Sequence, residues 1–305
     1  MSATWLHTLP VRAALLRSLR TTLDEAGFIE VETPVRIPAP ANEPHILPPP
    51  SGTAFLRASP ELQMKRLLAL GFTRIYQIGP CFRSGERGDR HNPEFTLLEW
   101  YRADADDRTL LGDLRKLVCD AAAAIHGCYH IPFRGTTIDL SATWTRMTVR
   151  DAMLRHAGWD PVADYHPERF DVDMATKVEP ALPRNQPCLL VDYPAPAAAL
   201  ARLRDDDPTV AHRWEAYIGG IELCNAYGEL TDPEEQRRRF EAARAEKIAC
   251  GETPMPIDED FLGALSSLPP CAGAAMGVDR LAMILLDAAD ISHVRPFCPP
   301  VGALW

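Results

Sequence analysis

Two kinds of charged side chain, with aromatics between them, are spaced so that they could do chemistry together in this sequence. The first is arginine. Neither GxGxxG nor the P-loop pattern occurs, so any nucleotide would have to be held by side chains rather than by a glycine-rich loop. The planar guanidinium fork meets phosphate oxygens at two points at once. Arg83 closes one apolar run, Arg90-His91 follow in a charged loop, and Arg280 comes just after Gly277-Val278-Asp279 at the start of an apolar helix. Helix polarity there adds to the guanidinium. Singly these arginines mean little; together they form a candidate polyphosphate clamp.

Carboxylates are the second kind. Alternation from Glu94 to Ala103 puts Phe95, Leu97, Glu99, Tyr101 and Ala103 on one face. On an isolated strand Glu99 would be an ordinary solvated acid. Among Phe95 and Leu97, a carboxylate needs a partner such as a ligand amine. Asn225, Tyr227 and Glu229 share a face in the same way. Glu215 and Glu222 stand seven apart, so simple alternation separates them. A bulge at Gly219-Gly220 would bring them together as a carboxylate pair for a hard cation, although two unrelated exposed acids fit the pattern equally well. Alternation also sets Glu222 opposite Asn225. His126, Cys128 and His130 match no common zinc spacing and read as incidental.

The elements that must position these residues follow from periodicity. Val11, Leu15, Leu19 and Leu23, with Leu16 beside them and Gly27 at the C′ place, predict an amphipathic helix over 11–26. Residues 28–33 read as a strand stopped by Pro34, followed by a Pro-rich loop to about Ser51. Ser59-Pro60-Glu61 opens a second helix, with Ser59 as N-cap and Pro60 first in the helix, and Gly71 closes it. Residues 74–83 and 94–103 predict two strands joined by a long charged loop, 104–126 a helix, and 134–190 a mixed region. Strand character returns over 213–230. Asp232-Pro233-Glu234-Glu235 forms a capping box for a helix running towards Ala249, and the small residues from Gly273 lead into a last helix. Without regular βαβ alternation, this order predicts an α+β fold: a mostly antiparallel sheet flanked by helices. No linker divides the chain, so 1–305 reads as one domain.

Composition narrows the function. The 305 residues are 46% hydrophobic and 24% charged, and 32 basic against 42 acidic residues leave a net charge of −10. That balance disfavours generic nucleic-acid binding. No apolar run approaches the ~18 residues of a membrane span, and no secretory leader is evident. Eight cysteines without a CxxC pair suit reduced thiols. A cytosolic protein is expected.

In order and across nearly the whole chain, these pieces resemble the three motifs of the class II aminoacyl-tRNA synthetases. Gly27 to Pro34 is similar to motif 1, Cys81-Phe82-Arg83 through His91-Asn92-Pro93-Glu94-Phe95 to motif 2, and Gly273 through Gly277-Val278-Asp279-Arg280 to motif 3. The run from His91 to Tyr101 and the segment from Glu222 to Asp232 resemble the lysyl-tRNA synthetases in particular. Motif 1 begins near residue 20, so no N-terminal anticodon-binding domain is expected. A free-standing core of this kind resembles the lysyl-synthetase paralogues that modify elongation factor P.

That resemblance implies the class II synthetase catalytic fold, ATP and Mg2+, and activation of (R)-β-lysine or lysine as an adenylate. The acyl group would pass to a lysine of elongation factor P, making tRNA an unlikely partner. It implies that Arg83 and Arg280 are catalytic and hold phosphates, with Arg90 and His91 helping, and that Phe95 stacks on adenine. Glu215 and Glu222 would coordinate Mg2+, Glu222 thereby touching the nucleotide. Glu61 would take the amino group near the carboxylate, Glu99 and Glu229 the distal ammonium beside Tyr101, and Asn225 and Tyr227 the remaining wall. The family's Phe-Arg-Asn-Glu is Phe82-Arg83-Ser84-Gly85 here, leaving Glu86 or the backbone to contact adenine. Ala275 replaces a motif 3 glycine and would reshape the pocket near the α-carbon. Motif 1 implies a homodimer through residues 11–36. No role attaches to the chain end after Phe297. A tRNA-charging enzyme and a catalytically silent synthetase-like binding protein are the alternatives.

Overall fold

The computed structural model describes residues 2–43 and 46–298; the tail 299–305 lies outside them. Helix α1 (Ser2–Glu25) leads into β1 (Ile29–Glu30). Next come β2 (Arg36–Ile37), β3 (Pro50–Ser51) and β4 (Ala54–Leu56), α2 (Glu61–Ala69), and the long pair β5 (Arg74–Phe82) and β6 (Glu94–Ala103). Helix α3 (Asp107–His126) precedes β7 (His130–Phe133), β8 (Thr136–Asp139) and β9 (Thr145–Thr148). After α4 (Val149–His156) and α5 (Pro167–Asp173) come β10 (Cys188–Pro194), β11 (Val210–Ile218) and β12 (Ile221–Gly228). The chain continues through α6 (Pro233–Ala249), α7 (Glu259–Leu265), β13 (Cys271–Gly277) and α8 (Val278–Leu285). The main sheet runs β1-β5-β6-β13-β12-β11-β10-β9. Its two outermost pairs are parallel and all the others antiparallel.

Alternation along the central strands divides the sheet into two faces. Leu98 and Trp100 of β6, Ala272, Ala274 and Met276 of β13, and Trp214 and Ala216 of β11 are buried in the largest apolar cluster, with Leu15, Leu19 and Leu23 of α1, Leu110, Leu114 and Leu117 of α3, and Leu281 and Ile284 of α8. The residues between them, Glu99, Tyr101, Gly273, Ala275, Arg213, Glu215 and Tyr217, line a cavity on the opposite face. Period-two strands thus turn one buried sheet into a core on one side and a site on the other.

Several local expectations are corrected. Helix α1 reaches nine residues further towards the N-terminus than predicted and carries Pro10 inside it. The strand expected to reach Thr33 pairs in the sheet only over Ile29 and Glu30, because Thr33 turns away. Its Oγ1 donates to Gln77 (2.9 Å), and its carbonyl accepts from Arg57 Nη1 (2.9 Å). The Pro-rich loop contains two short strands, β2 and β3, which pair with β4 just beyond it. Pro60 stands at the N-cap place of α2, while Ser59 Oγ accepts from the Glu61 N–H and donates to Glu99 instead of serving only as a cap. Half of the expected capping box forms: Asp232 accepts from the N–H groups of Glu234 and Glu235, but the Glu235 carboxylate turns to Arg238 and Arg239.

Gly219-Gly220 is the two-residue turn of the β11–β12 hairpin, both at positive φ (61° and 76°). The bulge lies beside it, where Ala216 pairs with Cys224 and Tyr217 with Glu222, leaving Leu223 as the extra residue. That one irregularity puts Glu215, Glu222 and Asn225 on the cavity face, which simple alternation could not do.

A buried carboxylate ties the motif-bearing elements together. Asp279, 2% exposed on α8, accepts from the Thr96 N–H of β6 (2.8 Å) and pairs with Arg12 of α1 (2.6 Å) and with Arg295 (3.6 Å). Arg295 also pairs with Glu94 at the start of β6. Asp279→Ala should cost about 3 kcal/mol or more, because it leaves two guanidiniums and a backbone donor without their shared acceptor. Urea unfolding of the variant checks this; a loss below 1 kcal/mol would contradict it.

Candidate active site

The cavity is about 620 Å³ and is lined from the loop after β5, from β6, β10 to β13, the start of α2, and the α8 N-terminus. Every residue singled out from the sequence as a site residue borders it: Glu61, Arg83, Glu86, Arg90, His91, Phe95, Glu99, Tyr101, Glu215, Glu222, Asn225, Tyr227, Glu229, Ala275 and Arg280. Positions from 61 to 280 are brought into one wall by the β6–β13–β12 register, in which Ala275 faces Glu99 on one side and Asn225 on the other.

One end is cationic. Arg280 Nη1 donates to the Glu222 carbonyl (2.7 Å) and carboxylate (3.0 Å), and Nη2 lies 2.7 Å from His91 Nε2. Burial and the neighbouring Arg280 lower the His91 pKa, so its neutral ring can accept that hydrogen bond. Burial opposes ionisation of Glu222, but Arg280, joined by Arg83 and Arg213, holds the carboxylate below its ordinary range. Arg83 follows directly on β5, packs 5.1 Å from the Phe95 ring centroid, and sits 3.5 Å from Glu86. Its Nε is buried without a hydrogen-bond acceptor. A half-buried guanidinium whose buried Nε–H has no acceptor is suited to an anionic ligand.

At the other end the residues are acidic. Glu99, 1% exposed, accepts from Ser59 (2.5 Å) and from Tyr101 (2.9 Å). Burial, reinforced by nearby Glu61, pushes its carboxyl up to about 7. Glu61 and Glu229 both contact a residue absent from the sequence reading, Lys65, each at 2.5 Å. Burial works against that ammonium, but Glu229 and Glu61 together hold its pKa above the ordinary lysine value. Burial raises the Glu229 carboxyl, and the Lys65 ammonium 2.5 Å away opposes the rise. Gly273 is required beneath them, since a Cβ there would collide with the Tyr101 ring and Glu229 Oε1.

Between the two ends, Arg213 lies 4.3 Å from the Tyr193 ring centroid and 5.6 Å from that of Tyr227, and donates to Glu215 (2.8 Å). Glu215 also accepts from Tyr217 (2.7 Å). Asn225 Nδ2 donates to Tyr227 (3.0 Å), while Asn225 Oδ1, Tyr193 Oη and Arg213 Nε are buried without partners. Glu215 and Glu222 share the cavity face as two hard oxygen donors, and each carboxylate has lone pairs beyond its present contacts. They fit Mg2+ if ligand oxygens and water complete its shell. Among the described residues, no group of three or more His, Cys, Asp or Glu side chains could hold a metal by itself; His126, Cys128 and His130 are no exception.

Sequence reasoning missed Lys65, Glu43 and Arg213. Lys65 was within reach, one helical turn after Glu61 at i+4, and Arg213 shares strand alternation with Glu215. Glu43 stands in the aperiodic Pro-rich loop; in the fold it lines the cavity, where burial and Glu61 raise its carboxyl to about 7.

A cationic rim facing buried acids on an antiparallel sheet defines a class II synthetase catalytic domain, and the family description "tRNA synthetases class II (D, K and N)" matches residues 2–300. The chain belongs to that family. It is 36% identical to the lysine–tRNA ligase of Moorella thermoacetica over 94% of its own length and spans 64% of that protein. It is 36% identical to the elongation factor P–(R)-β-lysine ligase of Vibrio vulnificus, covering 99% of this chain and 100% of the relative. The ligase of the same name from Sodalis glossinidius is 38% identical, with 97% and 98% covered.

Only ionised Glu99 can pair with an ammonium, and a carboxyl held near 7 is mostly protonated at pH 6 and mostly ionised at pH 8. The affinity of the cavity for lysine should therefore rise by about tenfold over that interval. Calorimetric titration at several pH values measures it, and the rise should be smaller in Glu99→Gln, in which Glu43 and Glu229 still titrate.

Proposed function

We propose that the chain is an ATP-dependent ligase that activates a lysine-type amino acid, (R)-β-lysine or lysine, and transfers it to a lysine side chain of elongation factor P. One observation carries this reading: a single cavity has guanidiniums with unmet or shared donors at one end and a buried, partly protonated acid cluster at the other. Such a cavity suits a ligand with phosphates on one side and ammonium groups on the other.

In the first step, a carboxylate oxygen of the amino acid attacks the α-phosphorus of ATP, the bond to the β-phosphate oxygen breaks, and pyrophosphate leaves. Arg83 holds the attacking carboxylate and α-phosphate and neutralises charge at the five-coordinate phosphorus. Arg280, with Arg90 and His91, binds the terminal phosphate, while Phe95 stacks on adenine with Glu86 at the base edge. Glu215 and Glu222 would hold Mg2+, which when bound neutralises charge on phosphate oxygens. Glu99, Glu229 and Tyr101 receive the distal ammonium and Glu61 the amino group nearer the carboxylate, with Asn225, Tyr227 and Ala275 shaping the wall. In the second step, the neutral ε-amine of the acceptor lysine attacks the acyl carbon. AMP leaves with the bonding electron pair, the amine loses a proton, and an amide results.

A protein acceptor is favoured over tRNA by the net charge of −10 and by end-to-end similarity to the protein ligases. Chemistry that consumes ATP and modifies a translation factor belongs in the cytosol; no helix among the described residues is long and apolar enough to cross a membrane. Residues 11–36 would form a homodimer interface, to which the exposed Ile29 contributes. Light scattering should give twice the 33.8 kDa chain mass; the mass of one chain at working concentration would refute the dimer.

Incubation with ATP, Mg2+, (R)-β-lysine and elongation factor P should add one lysyl residue to the factor by mass spectrometry. Acylation of a tRNA without any gain on the factor would instead establish a charging enzyme, and ATP binding without turnover on either acceptor a silent binding protein. Arg83→Ala should lower kcat by about 10²–10³-fold.

A further inference from the structure

Lys65 has no role in the two-step reaction as written, yet it occupies the centre of the acid cluster. Its ammonium is 1% exposed and lies 2.5 Å from Glu61 Oε1 and 2.5 Å from Glu229 Oε2, so those two oxygens stand at most about 5 Å apart. The contact to Glu229 Oε2 lacks the angle of a directed hydrogen bond, and the other oxygen, Oε1, faces Gly273 on the cavity floor. Neither acid is used up by Lys65: a carboxylate has about four acceptor directions, and both side chains border the cavity.

We propose that Lys65 is a specificity-determining residue, a built-in ammonium that holds Glu61 and Glu229 at fixed positions so that each shares its charge between the protein and one amino group of the substrate. The proposal rests on the function proposed above. The charge count favours it. Glu43, Glu61, Glu99 and Glu229 converge from a loop, α2, β6 and the residue after β12, and Lys65 is the ammonium among them, with the Arg57 guanidinium acting on Glu99 and those of Arg83 and Arg213 on Glu43 from the edge of the cluster. Arg213 is committed to Glu215, and Tyr101, Tyr227 and Cys271 add no charge, their pKa values being raised mainly by burial. With Lys65 in place, a substrate bringing two ammonium groups nearly balances the cluster. Without it, Glu61 and Glu229 would have no protein cation between them, and binding would require further protonation.

A purely structural ion pair explains the arrangement less well. Apolar side chains of similar volume stabilise a fold at least as effectively as buried pairs, and this pair borders a ligand cavity. A lysine at this position is informative where the carboxylates must remain available to something else.

The test uses the full chain and pyrophosphate exchange with (R)-β-lysine and with lysine. Lys65→Met keeps the unbranched stem, one atom shorter, and removes the charge. It should raise the KM for the amino acid by about tenfold or more while the KM for ATP stays within about twofold. The pH at which the amino-acid KM changes should move upward, because Glu229 loses its neighbouring ammonium and retains its proton to higher pH. Lys65→Ala removes the atoms of n-propylammonium, and adding that ion should restore the amino-acid KM saturably, whereas tetramethylammonium should not. Lys65→Arg, which retains the charge, should keep the wild-type pH profile even if KM rises. An unchanged KM and pH profile in Lys65→Met would overturn the proposal. So would parallel loss of both substrates' affinities and of thermal stability in Lys65→Met and Lys65→Ala, with no rescue. If the wild-type chain exchanges pyrophosphate with neither amino acid, the proposed function fails; exchange that is indifferent to Lys65 sinks only this inference.

Discussion

Carboxylates taken out of water must find cations or hold protons, and the architecture of this protein follows from how it meets that requirement. Glu99 has only hydroxyl donors, Ser59 and Tyr101, and burial pushes its carboxyl to about 7. Glu61 and Glu229 share one lysine. Desolvation therefore leaves the cluster short of positive charge, a deficit that an ammonium ligand offsets on arrival. At the opposite end the balance reverses: Arg83 keeps an unmet buried donor, and Arg280 is held by Glu222 and by an imidazole whose own protonation it disfavours. The separation of charge along one cavity orients a ligand before any chemistry begins.

Sheet register maintains this separation. Ala275 lies level with Glu99 and with Asn225 across three adjacent strands, so a methyl group at that position projects between the acid end and the polar wall. Gly273, two residues earlier, has no room for any side chain between Tyr101 and Glu229. The Asp279 network anchors the strand carrying Phe95 and Glu99 to the helix carrying Arg280 and to the N-terminal helix. Through it, the N-terminal helix bears directly on the cationic end of the cavity.

The long elements were legible because their signals were redundant. Strands β5 and β6 fall within one residue of expectation, since apolar alternation, length and a charged connecting loop all agree. Thr33 defeated the strand reading through hydrogen bonds to Gln77 and Arg57, groups remote in sequence. Gly219-Gly220 signalled an irregularity correctly but of the wrong kind: two glycines at positive φ make a turn, and the bulge falls on Leu223, an apolar residue whose type carries no such signal. The acids consequently share a face for a reason that their spacing could not reveal.

Residue types and their order determined by themselves the antiparallel α+β class, the motif resemblance and which arginines and glutamates to watch, because periodicity and side-chain chemistry are local properties. Tertiary structure alone decided that those residues line one cavity, that Lys65 bridges two of the acids, that Glu43 joins them from an aperiodic loop, and that Asp279 links three elements. Those outcomes depend on distances between residues far apart in the chain and on the loss of water around them. Neither quantity exists until the strands have paired and the helices have closed over the sheet.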